Sequence, residues 1–226
     1  MQQKTFIDPQ IPLIERIATP EGRRYRTPEG KLYPSATGVT ELLAETEGKN
    51  YIKEWREKVG AEVADEISRR AANRGTLVHE SVEQYLKTGS FPKFDMFQQT
   101  EERMIKQLLP TILKIDRIRC LETPLWSDTF ELAGTVDLIA EYEGELMTID
   151  WKTSNSFKHR DDIGGYFLQV AIYAYMFWER TGVAIKNGLI VITTPDDGLL
   201  IYKEPLKQHL AKLPALRKEY RRIHGV

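Results

Sequence analysis

The chain has 226 residues, 41% of them hydrophobic and 29% charged, a balance that fits one water-soluble globular domain and excludes a disordered or membrane-spanning chain. Its 32 basic and 33 acidic residues leave a net charge of -1, which excludes coating nucleic acid by bulk charge while leaving room for a local basic track. The only cysteine, Cys120, excludes an internal disulfide, a four-cysteine iron–sulfur cluster and a Cys-rich zinc site.

In chain order, the turn-rich stretch from Pro20 to Pro34 predicts a hairpin through Arg24-Tyr25-Arg26 and Leu32-Tyr33. Ser35 or Thr37 can cap a helix through Leu42 and Leu43. Helical spacing follows over residues 49–59, 61–73 and 76–87, the last ending at Gly89, and again over 96–113. The period then changes. Residues 117–126, 131–142 and 145–152 alternate and predict three antiparallel strands. Asp161 and Asp162 open an apolar helix that runs to Glu179. A buried strand is predicted at 188–194, a short strand near Leu200, and a helix from Pro205 with Pro214 placed to kink it. Helices before and after a small mixed sheet give an α/β sandwich. The end of the chain from Lys203 is basic, with seven Lys or Arg against Glu204 and Glu219. The apolar run from Tyr166 to Trp178 contains Gln169 and is too short to span a bilayer. With neither a signal peptide nor an evident mitochondrial presequence, a reducing cytoplasm, bacterial or phage-infected, is the expected compartment.

The densest chemistry lies between Leu132 and Lys152. If Glu143-Gly144 is a two-residue turn, Tyr142 faces Glu145, and counting back pair by pair brings Asp137 opposite Asp150. Both carboxylates then share a face with Lys152, their side chains starting roughly 5 Å apart. The other face carries Val136, Leu138 and Ala140 against Trp151, Ile149 and Met147 and is core. Two opposed like charges destabilise a sheet unless neutralised, and a magnesium or manganese ion would neutralise them. The competing reading is an exposed hairpin face with weak ion pairs. Other segments bear on the choice: His79 and Glu83 share one face of a helix, and Gln169 and Tyr173 stand four apart on another, where they could equally satisfy each other in the core.

Taken in order, Gly-Thr-x-x-His ending at His79, Gly-x-x-Asp ending at Asp137, Asp-x-Lys at Asp150 to Lys152 and Gln-x-x-x-Tyr from Gln169 to Tyr173 resemble the RecB-like branch of the PD-(D/E)XK nuclease superfamily. Within it, the chain is most similar to the mitochondrial genome maintenance exonucleases and their phage relatives, over most of its length. The resemblance implies a restriction-endonuclease-like core at 74–226, preceded by an N-terminal hairpin and helical roof at 1–73, all one nuclease domain. It also implies ligation of one or two Mg2+ or Mn2+ ions by Asp137, Asp150, His79 and the Trp151 carbonyl, with Lys152 positioning the attacking water. Gln169 and Tyr173 would steady the site or touch DNA, with Glu83 and Glu122 as further supporting candidates. Val136 stands where the superfamily name has its proline, as is normal for this branch.

The implied activity is metal-dependent hydrolysis of DNA from single-stranded ends, in repair, recombination or replication. A structure-selective endonuclease of the same fold and a catalytically inactive DNA-binding or assembly module are the alternatives. Single-strand binders combine a cationic groove with aromatic platforms. Arg24, Arg69, Arg70 and Arg74 are candidates for such a track, with Arg23, Tyr25, Arg26, Lys53 and Arg56 nearby, whereas Tyr51 and Trp55 suit core packing better. No phosphate-cradling Gly-x-x-x-x-Gly-Lys-Ser/Thr is present, so no nucleotide is expected and a helicase or polymerase would act in trans.

Overall fold

The computed structural model describes residues 3–20, 22–46, 51–196 and 198–225. Glu21, the first two residues of the helix predicted at 49–59, and the side chains of Tyr51 and Lys53 lie outside the described residues.

The predicted hairpin is part of a three-stranded antiparallel sheet: β1 (Glu15–Thr19), β2 (Gly22–Arg26) and β3 (Leu32–Pro34). Ser35 precedes α1 (Ala36–Thr46) and accepts the Thr37 N–H at 3.4 Å. After α2 (Tyr51–Val59), α3 (Ala61–Thr88) is one helix of 28 residues where the sequence predicts two. Gly75 does not break it. A mid-helix glycine costs only about 1 kcal/mol, less than is gained by burying Val78, Val82, Tyr85 and Leu86 on the sheet below. The helix ends as expected at Gly89, left-handed with φ +78 and its N–H on the Tyr85 carbonyl. The helix predicted over 96–113 is instead two, α4 (Gln99–Gln107) and α5 (Leu109–Leu113), because Pro110 lacks an N–H and starts a new first turn.

Strands β4 (Ile115–Ser127), β5 (Leu132–Tyr142) and β6 (Glu145–Thr153) form the expected meander. A 3-10 turn at Arg160–Asp162 then leads into α6 (Gly164–Thr181). It is followed by β7 (Asn187–Thr193), β8 (Leu199–Pro205), α7 (Lys207–Leu210) and α8 (Leu213–His224). Pro205 closes β8 and Pro214 lies in the first turn of α8, so the predicted kinked helix is two helices separated by Ala211 and Lys212.

The five strands lie in the order β4-β5-β6-β7-β8, antiparallel except for β6 and β7. That parallel pair requires a crossover, which α6 supplies. α3, α4 and α5 cover one face of the sheet, with Leu138, Ala140, Ile149 and Trp151 beneath them. α1, α6 and α8 cover the other, over Val136, Ile139, Ile190 and Ile192. The small N-terminal sheet docks Tyr25 and Tyr33 against Trp126 and Ala133. Among the described residues no helix is long and apolar enough to cross a membrane.

Candidate active site

The geometry starts from the β5–β6 turn. Glu143 and Gly144 both have positive φ, +52 and +83, as a two-residue hairpin turn requires, and the register Tyr142↔Glu145 through Leu138↔Ile149 follows the predicted count. The ladder stops one pair short of the aspartates. There the Trp151 N–H turns to the Asp137 carboxylate, 2.9 Å away, while β6 continues alongside β7. The two strands thus part like a fork, with Asp137 in the crotch and Asp150 one step along the other tine. Val136, expected beside Leu138 and Ala140, packs instead with Ile139, Leu168 and Ile172 on the opposite face, at the point where the β5–β6 ladder has ended and Glu122 on β4 takes a left-handed conformation.

α3 lays His79 across this fork. Its Nδ1 lies 3.2 Å from Glu122 Oε1 and 3.7 Å from Asp137 Oδ2, and its Nε2 is 3.0 Å from the Trp151 carbonyl. A carbonyl and a carboxylate both accept, so each ring nitrogen donates. Burial works against the imidazolium, but the charge of Asp137 and then the hydrogen bond to Glu122 outweigh it and push the pKa up to about 9. Glu122 sits between the paired Leu121↔Leu138 and Thr123↔Val136, across β4 from Asp137, and its φ of +46 is a left-handed conformation that a side-chain-bearing residue rarely adopts. Ligand atoms of His79, Glu122 and Asp137 all lie within 4.8 Å of one another, close enough to hold one metal ion.

Asp150 and Lys152 complete the cluster. Asp150 is buried, and apart from the ion pair that Lys152 Nζ makes with its Oδ2, neither carboxylate oxygen has a hydrogen-bond partner among the described residues. Burial, helped by the charge of Asp137, pushes its pKa up to about 7 against the pull of Lys152. Burial also works against the Lys152 ammonium, yet Asp150 and Asp137 hold its pKa above the usual lysine value. The Asp150 carboxylate beside His79, Glu122, Asp137 and the Trp151 carbonyl forms an oxygen-and-imidazole donor set that fits a hard divalent cation.

The remaining candidates are distributed around this centre. Gln169 Nε2 reaches the Tyr173 hydroxyl at 3.5 Å, and Tyr173 is buried, its pKa raised by that burial. The Tyr173 ring lies over Gly134, where an added Cβ would fall 2.7 Å from its Cε1. The glycine of Gly-x-x-Asp and the tyrosine of Gln-x-x-x-Tyr are therefore one packing unit behind Asp137. Glu83, a turn beyond His79, pairs with Lys87 at 2.6 Å. Arg69 and Arg70 both clasp Glu66, Arg56 pairs with Asp65, Arg26 pairs with Glu15, and Trp55 is half-buried. Arg24 and Arg74 are half-buried. Tyr25, expected among the DNA-facing residues, is fully buried; its hydroxyl lies 3.1 Å from that of Thr135, so it braces the strand leading to Asp137. The basic C-terminal end is partly structural too, since Arg217 is buried and donates to the Phe130 and Glu131 carbonyls. One residue escaped the sequence reading. Lys152 Nζ lies 5.1 Å from the centre of the Tyr166 ring, and Tyr166 precedes Gln169 by three residues on the same helical face, a spacing that could have revealed it.

Residues 61–224 match the sequence model of the PD-(D/E)XK nuclease superfamily. The chain belongs to that superfamily. Its mixed sheet flanked by helices has the PD-(D/E)XK fold, as the order of the four motifs implies. The mitochondrial genome maintenance exonuclease 1 of Homo sapiens is 28% identical over 175 residues, covering 70% of this chain and 49% of the human protein. That of Mus musculus is 25% identical over 175 residues, covering 72% and 50%. The chain thus spans about half the length of the curated relatives it matches. A solved structure from Eubacterium rectale aligns with a TM-score of 0.46 and 15% identity over 66% of each chain.

Proposed function

We propose that this PD-(D/E)XK protein is a metal-dependent DNA exonuclease that hydrolyses phosphodiester bonds from single-stranded ends. The observation that carries the reading is the fork itself: His79, Glu122 and Asp137 gathered within 4.8 Å, beside a buried Asp150 with orphaned oxygens and a charged lysine. Asp137, Asp150, His79 and the Trp151 carbonyl would hold Mg2+ or Mn2+. Such an ion, when bound, lowers the pKa of water and offsets charge on the scissile phosphate. Lys152, steadied by Asp150 and the Tyr166 ring, orients the attacking water and stabilises charge developing on the phosphate. With such an ion bound, His79 would serve as a ligand in its neutral form, and Glu122 beside the ring would fix its orientation.

The exonuclease activity of the relatives supports attack from ends, as far as their shared half extends. Arg24 and Arg74, with Arg69 and Arg70 where DNA displaces Glu66, would track the backbone, and the helices before His79 would limit entry to a single strand. The test is a pair of single-stranded substrates of the same sequence, one linear and labelled at either end, one covalently closed. The linear strand is expected to shorten from an end while the circle persists, and rapid cutting of the circle would replace the exonuclease reading with an endonuclease.

A further inference from the structure

The segment between β6 and α6 leaves the candidate site at Lys152 and returns to it at Tyr166, whose ring faces the Lys152 ammonium. It is built to hold its shape. Ser154 Oγ donates to the Ser156 carbonyl at 2.7 Å, and the Tyr202 hydroxyl donates to the Lys158 carbonyl at 2.5 Å. Arg160 grips Glu204 through both Nε and a terminal nitrogen. At the crest of this anchored segment is an aromatic side chain that the fold does not bury: Phe157 is 46% exposed. It meets the likewise exposed His159 at 4.9 Å with an interplanar angle of 71°. An edge-on pair props a ring without covering both its faces.

We infer that Phe157 and His159 form a stacking platform for a nucleobase of the single strand that enters the candidate site. Three features favour a nucleobase over other apolar ligands. Phe157 lies five residues beyond Lys152, so its backbone stands within about 17 Å of that of Lys152, a few nucleotides along an extended strand. Its neighbours are Asn155, Ser156 and Lys158, which suit a sugar-phosphate backbone and would be poor company for a protein hot spot. Rings on a rigid loop lose little entropy on stacking, and every base presents a π-face, so the platform would grip DNA without reading its sequence. Arginines supply charge to a track, but among the side chains first considered for it Tyr25 is buried and Trp55 half-buried. Phe157 supplies the exposed ring that such a track lacks.

This inference rests on the nuclease reading, and the experiment separates the two. In an Asp150→Asn background, which prevents cleavage, fluorescence anisotropy with a short labelled oligothymidylate measures the Kd. Phe157→Ala is expected to weaken binding about tenfold, within the range for one stacked base. Phe157→Trp is expected to keep the parent affinity, with its indole fluorescence quenched as DNA is added. Single abasic sites moved along the strand are expected to weaken parent binding about tenfold at one register and to cost nothing further there in Phe157→Ala. Parent-like binding by Phe157→Ala, or an equal further loss on the abasic strand, overturns the platform while leaving the nuclease reading intact if the wild-type protein cleaves linear DNA. A wild-type protein that cleaves no DNA overturns both.

Discussion

Two carboxylates at opposite ends of α6 are treated in opposite ways. Near its C-terminal end Glu179 accepts the Ser127 hydroxyl at 2.5 Å and the Asp128 N–H at 2.9 Å, with Arg180 alongside at 2.9 Å. Asp128 beside it is held by Tyr33, Lys31, the Trp126 indole and Arg180. Both carboxylates of this clasp have donors on each oxygen, and it closes the β4–β5 turn onto α6. At the other end Asp150 is more deeply buried and has the Lys152 ammonium on one oxygen but, among the described residues, no other donor to either. A buried carboxylate that serves the fold is given donors; the open lone pairs of Asp150 are those the proposed metal would fill.

The widest separation between the two regions is expected from substitution. Asp150→Asn should lower DNA cleavage by at least about 10²–10³-fold, while the melting temperature without metal falls only modestly, since the lost ion pair with the buried Lys152 is partly offset by the end of the repulsion from Asp137. Full activity in that variant would remove Asp150 from the site. Glu179→Ala should do the reverse, costing about 2–3 kcal/mol in chemical denaturation with activity per folded molecule retained. A stability equal to wild type would mean the clasp is ornamental.

Gly134→Ala lies between the regions. Its Cβ would fall 2.7 Å from Tyr173 Cε1, so a loss of about 1–3 kcal/mol is expected together with a displaced Asp137 and reduced activity. An inert substitution would show that the ring behind the site can move freely.

The smallest effect is a pH dependence of opposite sign in the two regions. Burial raises the pKa of Asp128, but its hydrogen bonds from Tyr33 and Lys31 outweigh this and bring it down to about 2. Its stabilising contribution is therefore present above the ordinary carboxylate range and is lost as pH falls toward 2. His79 and Asp150 are raised, to about 9 and about 7. What they contribute in the metal-free protein is present at low pH and lost as pH rises, through about 7 for Asp150 and from about 6.5 to 9 for His79. Melting curves without divalent ion should decline from pH 6.5 to 9, and saturating Mn2+ should flatten that decline. A metal-free protein that gains stability over this interval would show that the fork is not proton-loaded.

The site was legible in the sequence to the extent that local rules govern it. Glu143-Gly144 dictates the register, and the register brings Asp137 and Asp150 to the same end of a hairpin. The fork was not legible, because it depends on β6 taking β7 as a parallel neighbour and on Trp151 exchanging a strand partner for a side chain. Neither event leaves a local signal. The continuity of α3 through Gly75 was hidden for a similar reason: long-range burial outweighs a weak local preference. The division at Pro110, by contrast, was written in the sequence as a residue that favours a first helical turn. Tyr25 illustrates the limit of reading by residue type, since an aromatic between arginines looks like a DNA contact until the sheet behind it is seen.

The most direct test of the central claim is cleavage of end-labelled single-stranded DNA by the wild-type protein under metal control. Progressive shortening is predicted in Mg2+ or Mn2+, stopped by a chelator and restored by excess cation. Cleavage that persists in the chelator, or none with either cation, would contradict the account.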